Sequence, residues 1–356
     1  MFALLSLHRL TAGNPGLAQK LVQIYGSSEL VLSEFDRRLT PIAPAIARAI
    51  TQSGFSKEHQ NLVEDDCSWG EETSRHLLSV DHPHYPFLLK SLSDPPFMLF
   101  VWGDLDRVAS DQIAIVGSRK PTPLGISNAT RMANQLAEVG FTITSGMAIG
   151  VDAAAHRGAL EAGGCTIAVQ GCGADRIYPR SHERLALRIL ERGCLVSEYP
   201  TGFPAHARHF PQRNRIVTGL SRGTLVIEAT EKSGSLISAR LAMEQGREVF
   251  AIPGSIRSRQ SEGCHQLIKQ GAKLATSVLD IIEEFHDFEV TRSSPASLSE
   301  NEQRVMSVLQ NGPRHADRMV EETRFSIAEL LAILIGLEIK GEIESGSDGY
   351  MLPKLS

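Results

Sequence analysis

The sequence predicts an α/β protein built on a doubly wound, mostly parallel sheet, with a helical domain before it and a winged helix after it. Three observations carry that prediction. Between Ile113 and about Gly271 short apolar runs alternate with helical patterns, which is the signature of repeated βα units and a parallel sheet. Glycine-rich turns follow those runs at Gly117-Ser118-Arg119, Ser145-Gly146, Gly171-Cys172-Gly173 and Pro253-Gly254. Beyond residue 299, three helical patterns lead into a segment that turns at Ser347-Asp348-Gly349, as a hairpin does.

Taken in order, residues 1–75 read as a small helical domain. Leu17, Leu21 and Ile24 recur at helical spacing after the Asn14-Pro15-Gly16 turn, a pattern similar to sterile-alpha-motif or helix-hairpin-helix modules and equally suited to a structural cap. Residues 76–275 are expected to form the central domain. Its entry is a proline-rich connector (His82-Pro83, Tyr85-Pro86, Pro95-Pro96) whose Phe87, Leu88, Phe97, Phe100 and Trp102 call for burial. Strands are predicted at Ile113–Val116, Thr142–Thr144, Thr166–Val169, Leu195–Ser197, Thr224–Ile227 and Val249–Ile252. Helices are predicted near Asn128–Glu138, Ala153–Glu161, Glu183–Glu191, Asn214–Gly219 and Ser235–Gln245. Residues 276–298 read as a linker and 299–356 as the winged helix.

Composition narrows the function. The 356 residues carry a formal net charge of −5, so the protein is not coated in base for duplex DNA. The charge is uneven, however: from Pro200 to Gln260 nine bases face four acids, which suits a confined anionic ligand. No run approaches the ~18 apolar residues of a membrane span, and the N-terminus shows no signal peptide. The five cysteines are scattered singly; they read as buried thiols in a reducing cytoplasm rather than a zinc or disulfide framework.

The stretch Gln112–Gly125, QIAIVGSRKPTPLG, is the centre of the prediction. A buried strand ends at Gly117, and Ser118, Arg119 and Lys120 follow before a helix. Free backbone N–H groups converge at such a turn and bind anions; the alternative is an ordinary βα turn with two solvated bases. A second junction of this kind is Lys232-Ser233-Gly234-Ser235, after the strand that ends near Glu228. Between them, Arg213 and Arg215 flank Asn214 at a helix start, where guanidiniums can grip phosphates in bidentate fashion or salt-bridge to Glu198 or Glu228. Tyr178, Tyr199, Phe203 and Phe210 are candidates for base stacking, against the alternative of core packing. Asp152 and His156, four apart, read as a helix surface pair.

Other chemistries fail. No G-x-G-x-x-G, P-loop or G-x-S-x-G motif is present, and no cofactor or metal is called for. Ser221–Ala229 is faintly similar to the phosphate-binding motif of lysine-decarboxylase-like nucleotide phosphoribohydrolases, with Glu228 in the acid's place, but Leu220-Ser221-Arg222 stand where that family needs paired glycines.

The motifs in register are VGSR (Val116–Arg119), SGMAIGVD (Ser145–Asp152), AAHRGAL (Ala154–Leu160), TIAVQGCGADRIYP (Thr166–Pro179), SEYPTG (Ser197–Gly202), the block Phe210–Gly254, and GCHQLIKQGA (Gly263–Ala272). Together they resemble the DNA-processing family, DprA or Smf, over about residues 80 to 272. The resemblance implies an extended Rossmann-like domain that binds single-stranded DNA, protects incoming strands in natural transformation, loads the RecA recombinase onto them, acts as a homodimer and has no established turnover. It sets Arg119 on the family's DNA-contacting arginine and Arg180 on a second basic contact. The expected binding residues are therefore Gly117, Ser118, Arg119, Lys120, Ser145, Gly146, Gly171, Gly173, Arg180, Arg213, Asn214, Arg215, Lys232, Ser233, Gly234 and Ser235. Leu124, Gln170 and His265 depart from the family's usual tyrosine, apolar residue and asparagine, and none of these removes a phosphate-binding group. The winged helix's third helix offers only Lys340 among bases, too little for groove readout; a protein-contact or dimer-supporting role is expected there.

Overall fold

The computed structural model describes residues 1–33 except 13 and 15, residues 55–288, and residues 300–352 except 311, 324, 340–342 and 347–348. Its centre is a nine-stranded sheet: β1 (Arg75–Ser79), β2 (Met98–Gly103), β3 (Gln112–Val116), β4 (Thr142–Ser145), β5 (Thr166–Gly173), β6 (Cys194–Tyr199), β7 (Gly223–Val226), β8 (Glu248–Ala251) and β9 (Lys273–Leu274). The spatial order is β1-β2-β6-β5-β4-β3-β7-β8-β9. From β6 across to β9 all pairings are parallel, while β2 joins β6 and β1 joins β2 antiparallel.

The parallel strand β3 is a continuous apolar run because both of its faces are covered. Ile113 and Ile115 point to one face and Ala114 and Val116 to the other, as the two-residue period requires. The first pair packs on α6 (Pro123–Glu138) and α7 (Val151–Glu161). The second pair packs with α9 (His209–Gly219), α10 (Ser235–Glu244) and α11 (Glu262–Lys269). Between β5 and β6 lies α8 (Glu183–Leu190), whose Leu185, Ala186 and Ile189 pack on Ala168 and Leu195.

Three expectations are corrected. The proline-rich connector contains two further strands, β1 and β2; Met98–Val101 is buried on both faces, so the alternation that marks a strand is missing from its sequence. The turn expected at Gly171-Cys172-Gly173 is the end of β5, with a register shift against β6 between Gln170 and Gly173. Residues 276–288, expected as linker, pack instead under the sheet: Val278, Ile281 and Phe285 are buried beside Phe141 and Phe250, and Phe288 stacks on Phe141 at 3.7 Å. The rest of that linker, 289–298, lies outside the described residues.

Among the described residues four helices, α1 (Phe2–Thr11), α2 (Leu17–Tyr25), α3 (Ser28–Ser33) and α4 (Lys57–Glu71), lie against β2, and the short α5 (Phe87–Lys90) falls between β1 and β2. Leu5, Leu7, Leu21, Val63 and Trp69 share one core with Met98 and Phe100. A buried polar network reinforces this seam. Arg9 pairs with Asp66 at 2.5 Å, and Asp66 Oδ1 accepts from the backbone N and hydroxyl of Thr201 at 2.9 and 2.8 Å. His8 Nε2 meets the Glu198 carbonyl at 2.8 Å, and burial lowers its pKa to about 4.

Residues 294–356 form a separate compact unit. It comprises α13 (Glu300–Leu309), α14 (Ala316–Thr323), α15 (Ile327–Ile339) and the antiparallel pair β10 (Glu344–Gly346) and β11 (Gly349–Met351), around Val305, Leu309, Met319, Leu330, Leu334 and Leu337. α12 (Leu279–Ile282) belongs to the first unit. Among the described residues no helix is long and apolar enough to cross a membrane, and all five cysteines are free.

Candidate nucleic-acid interface

The strand order reverses at β3. Chain order runs β3-β4-β5-β6 to one side and β7-β8-β9 to the other, so the loops leaving β3 and β7 diverge and open a crevice outside their carboxyl ends. The cavity there measures about 810 Å³. It collects Gly117–Lys120 after β3, Gly146 and Ala148 after β4, Phe210, Arg213 and Asn214 from α9, Ser233–Ser235 after β7, and Gln260.

The loop after β3 is knitted on all sides. Ser118 N donates to Glu228 O at 2.8 Å, and Val151 N donates to Ser118 O at 3.1 Å. Lys120 N donates to Ser118 Oγ at 3.0 Å, while Gln260 Nε2 donates to Lys120 O at 3.1 Å. Gly117 admits no side chain, since a Cβ would sit 2.7 Å from Val151 Cγ2. With the backbone fixed, the exposed side chains of Arg119 and Lys120 stand over the crevice. The Arg119 guanidinium lies 5.5 Å from the centre of the Phe210 ring, and Tyr178 lies 5.4 Å from Phe210. Two aromatic rings thus share the crevice lining with two exposed cations that have no ion pair among the described residues.

Arg213 works from below. It is 3% exposed and donates to the Val169 carbonyl, while its Nε has no hydrogen-bond partner among the described residues. It passes directly beneath Gly146, where a Cβ would lie 2.3 Å from Nη1. Asp152, at the start of α7, accepts from Gly146 N and Ala148 N, both at 3.2 Å. Burial raises the Asp152 carboxyl, against the pull of Arg213, while burial lowers Arg213, against the pull of Asp152. At the floor of the crevice each of these charges thus offsets part of the burial cost of the other.

The cradle expected at the first helix N-terminus is corrected. α6 begins at Pro123 with Thr122 as its cap: Gly125 N donates to Thr122 Oγ1 at 3.0 Å. The Glu228 carboxylate then takes Thr122 N at 2.9 Å and Thr122 Oγ1 at 2.5 Å. A carboxylate of the chain itself occupies the positive end of that helix. α10 differs: its first N–H, that of Ser235, donates to Ser233 Oγ at 3.3 Å rather than meeting a carboxylate, and Ser233, Gly234 and Ser235 line the crevice.

Ten of the sixteen expected residues therefore meet there, namely Gly117, Ser118, Arg119, Lys120, Gly146, Arg213, Asn214, Ser233, Gly234 and Ser235. Six do not line it. Ser145 is buried, its hydroxyl donating to Ile115 O at 2.6 Å. Gly171 lies behind Phe210, and Gly173 lies against Pro200 and Phe203. Lys232 is exposed outside the lining, and Arg180 lines a neighbouring concavity. Arg215 faces the other way, 2.6 Å from Glu198 and 3.2 Å from Asp94. Among the aromatic candidates, Tyr199 is core and Phe203 packs on it at 6.3 Å. Asp152 and His156 do not pair; the wholly buried His156 ring meets Thr166 Oγ1 at 2.7 Å. Asp152, Ala148, Thr230 and Gln260 were not expected in the lining. Asp152 had a signal, an acid in the first turn of a helix after a glycine loop, whereas Gln260 arrives only through the fold.

A model of the family described as DNA recombination-mediator protein A matches residues 76–286. The chain belongs to that family. A model of the DprA winged helix domain matches residues 289–349, which fits the second compact unit. Relatives in the mediator family include Protein Smf of Escherichia coli, 49% identical over 222 residues, or 62% of this chain and 59% of that protein. DNA processing protein DprA of Streptococcus pneumoniae is 47% identical over 240 residues, 66% of this chain and 79% of that protein. The crystal structure of the pneumococcal DprA superposes with a TM-score of 0.68 at 36% identity, covering 80% of this chain and 98% of that one. A structure of DprA from Helicobacter pylori, described for its single-stranded DNA binding mode, aligns with a TM-score of 0.54 at 32% identity, covering 60% and 96%.

Proposed function

We propose that this mediator-family protein binds single-stranded DNA without regard to sequence in the switch-point crevice, protects it, and passes it to the RecA recombinase, acting as a cytoplasmic homodimer. One observation carries the reading: the exposed Arg119 guanidinium stands over Phe210, which packs against Tyr178, with Lys120 on the same crevice wall and Arg213 buried in its lining. Phosphates meet the cations and bases meet the rings. Contacts of this kind are tolerant of sequence. A concave crevice follows one backbone, whereas a duplex is too wide to enter it. The single-stranded DNA described for the H. pylori relative supports the same ligand. In this reading residues 76–275 bind the strand and the winged helix of 299–356 contacts protein.

Binding without turnover is part of the proposal. Glu228, the one acid that an enzymatic reading needs, is engaged by Thr122 and is outside the crevice lining. The test is titration of a fluorescent oligo-dT against wild type and Arg119→Ala over a range of salt, with duplex as competitor. The expected outcome is salt-sensitive binding that prefers single strands, with Arg119→Ala weakening it and flattening the log–log salt slope by about 0.7. Binding indifferent to Arg119, or equal for duplex, rejects the reading. Displacement of RecA-blocking proteins from the strand, measured with the same variant, then tests the delivery step.

A further inference from the structure

Beside the crevice lies a second concavity of about 760 Å³, and the two share Tyr178 and Ala205. Trp102, Arg180 and Glu183 contribute to its walls. From it the chain runs directly into α8, and arginines recur there every fourth residue: Arg176, Arg180, Arg184, Arg188 and Arg192. The two end members are occupied. Arg176 pairs with Asp175 at 3.5 Å, and Arg192 donates to Gly163 O at 2.7 Å. Arg180, Arg184 and Arg188 are exposed, and none has an ion pair among the described residues. Residues four apart share a helix face and stand about 6 Å apart along the axis. Leu187, 53% exposed, lies beside Arg184 and Arg188, and Glu183 and Glu191 are the acids of the segment.

We propose that α8 is a second binding segment for the same nucleic-acid strand, reached from the crevice past Tyr178 and across the second concavity, with Arg184 and Arg188 as its far phosphate contacts. The proposal rests on the single-strand reading of the crevice and extends its footprint. Three features favour a strand over a solvated face. The row is continuous with the cavity that holds Tyr178, its three middle cations have no ion pair among the described residues, and an exposed apolar side chain sits among them where a base can cover it. The opposite face of the helix is committed to the core through Leu185, Ala186 and Ile189, so the row is held rigidly toward solvent.

The test uses the full-length protein, an Arg184→Ala/Arg188→Ala variant, and two oligo-dT probes of about 6 and about 20 nucleotides, bracketing the site sizes such grooves cover. The short probe fills only the crevice and is expected to bind the variant as it binds wild type. The long probe is expected to lose about tenfold, with its salt slope flattened by about 1.4 for two lost phosphate contacts. Arg184→Lys/Arg188→Lys is expected to restore both. Because the two side chains are exposed, the melting temperature of each variant should match wild type. Unchanged binding of the long probe overturns the proposal and leaves the row to a protein partner. Equal losses for both probes overturn it too, since that pattern means the crevice itself was disturbed. Arg119→Ala, by contrast, weakens both probes if the crevice reading holds, so the two ideas fail separately.

Discussion

Two strand–turn–helix junctions flank the crevice, and their sequences look alike. One runs from β3 through Gly117-Ser118-Arg119-Lys120 to α6; the other runs from β7 through Lys232-Ser233-Gly234 to α10. In the first, Thr122 caps the helix and the Glu228 carboxylate closes its positive end. The second is met only by the neutral Ser233 hydroxyl, which accepts from Ser235 N, and turns its first residues to the cavity. The closing carboxylate follows β7 by two residues, so one junction supplies the plug for the other. A helix N-terminus is an anion site only where the fold leaves it open. The same lesson recurs within α9, where Arg213 faces the crevice and Arg215, two residues on, is held by Glu198 and Asp94.

The arginine pair offers the largest expected effect. Arg215→Ala leaves Glu198 buried without its partner and should cost about 3 kcal/mol of stability, read by denaturant melts, while the folded fraction still binds oligo-dT. Arg213→Ala should weaken binding severely and, because it leaves the buried Asp152 without its facing charge, cost a comparable amount of stability. Equivalent binding defects in both variants would erase the distinction between the two arginines. Next comes Gly146→Ala, which forces the Arg213 guanidinium to move. A cost of roughly 1–3 kcal/mol is expected from overpacking, together with weaker binding, whereas the same change at Gly246, where a Cβ meets nothing within 4 Å but φ is 67°, should affect stability alone.

Glu228→Ala sharpens the contrast between the junctions. Removing the acceptor of Thr122 and the charge at the α6 terminus should cost about 1–2 kcal/mol. Affinity for oligo-dT should hold or rise, since a carboxylate near the crevice is lost. A collapse of binding at unchanged stability would instead make Glu228 part of the ligand site. The smallest effect concerns pH. Burial moves His8 from the ordinary 6.5 to about 4, so below pH 6.5 the unfolded chain takes a proton that the folded one refuses. Stability then falls as pH drops from 6.5 toward 4, by at most ~1.4 kcal/mol per pH unit for this group. Burial raises Asp66 and Glu198, which act in the opposite sense, so the useful quantity is the difference between proteins. His8→Gln should flatten the slope of melting temperature against pH between 6.5 and 4, and an identical slope would count against the burial argument.

Much of this molecule was legible in its residues. Short runs with apolar centres, alternating with helical patterns, identified β3 to β8 and the helices between them, because those signals arise from burial along a short stretch of chain. Motifs such as Val116–Arg119 and Phe210–Gly254 pointed to the family that the models match. Local patterns also located Arg119, Lys120 and Arg213. What they could not supply was the order of strands: that β7 docks on β3 rather than β6 creates the crevice, brings Gln260 to Lys120 and sends Glu228 to Thr122. Nor could they choose for Arg215 between a phosphate and the salt bridge to Glu198, a choice the fold makes while adding Asp94 from far off in the chain. Periodicity reports whether a residue is buried; only the packed sheet decides which distant residue it is buried against.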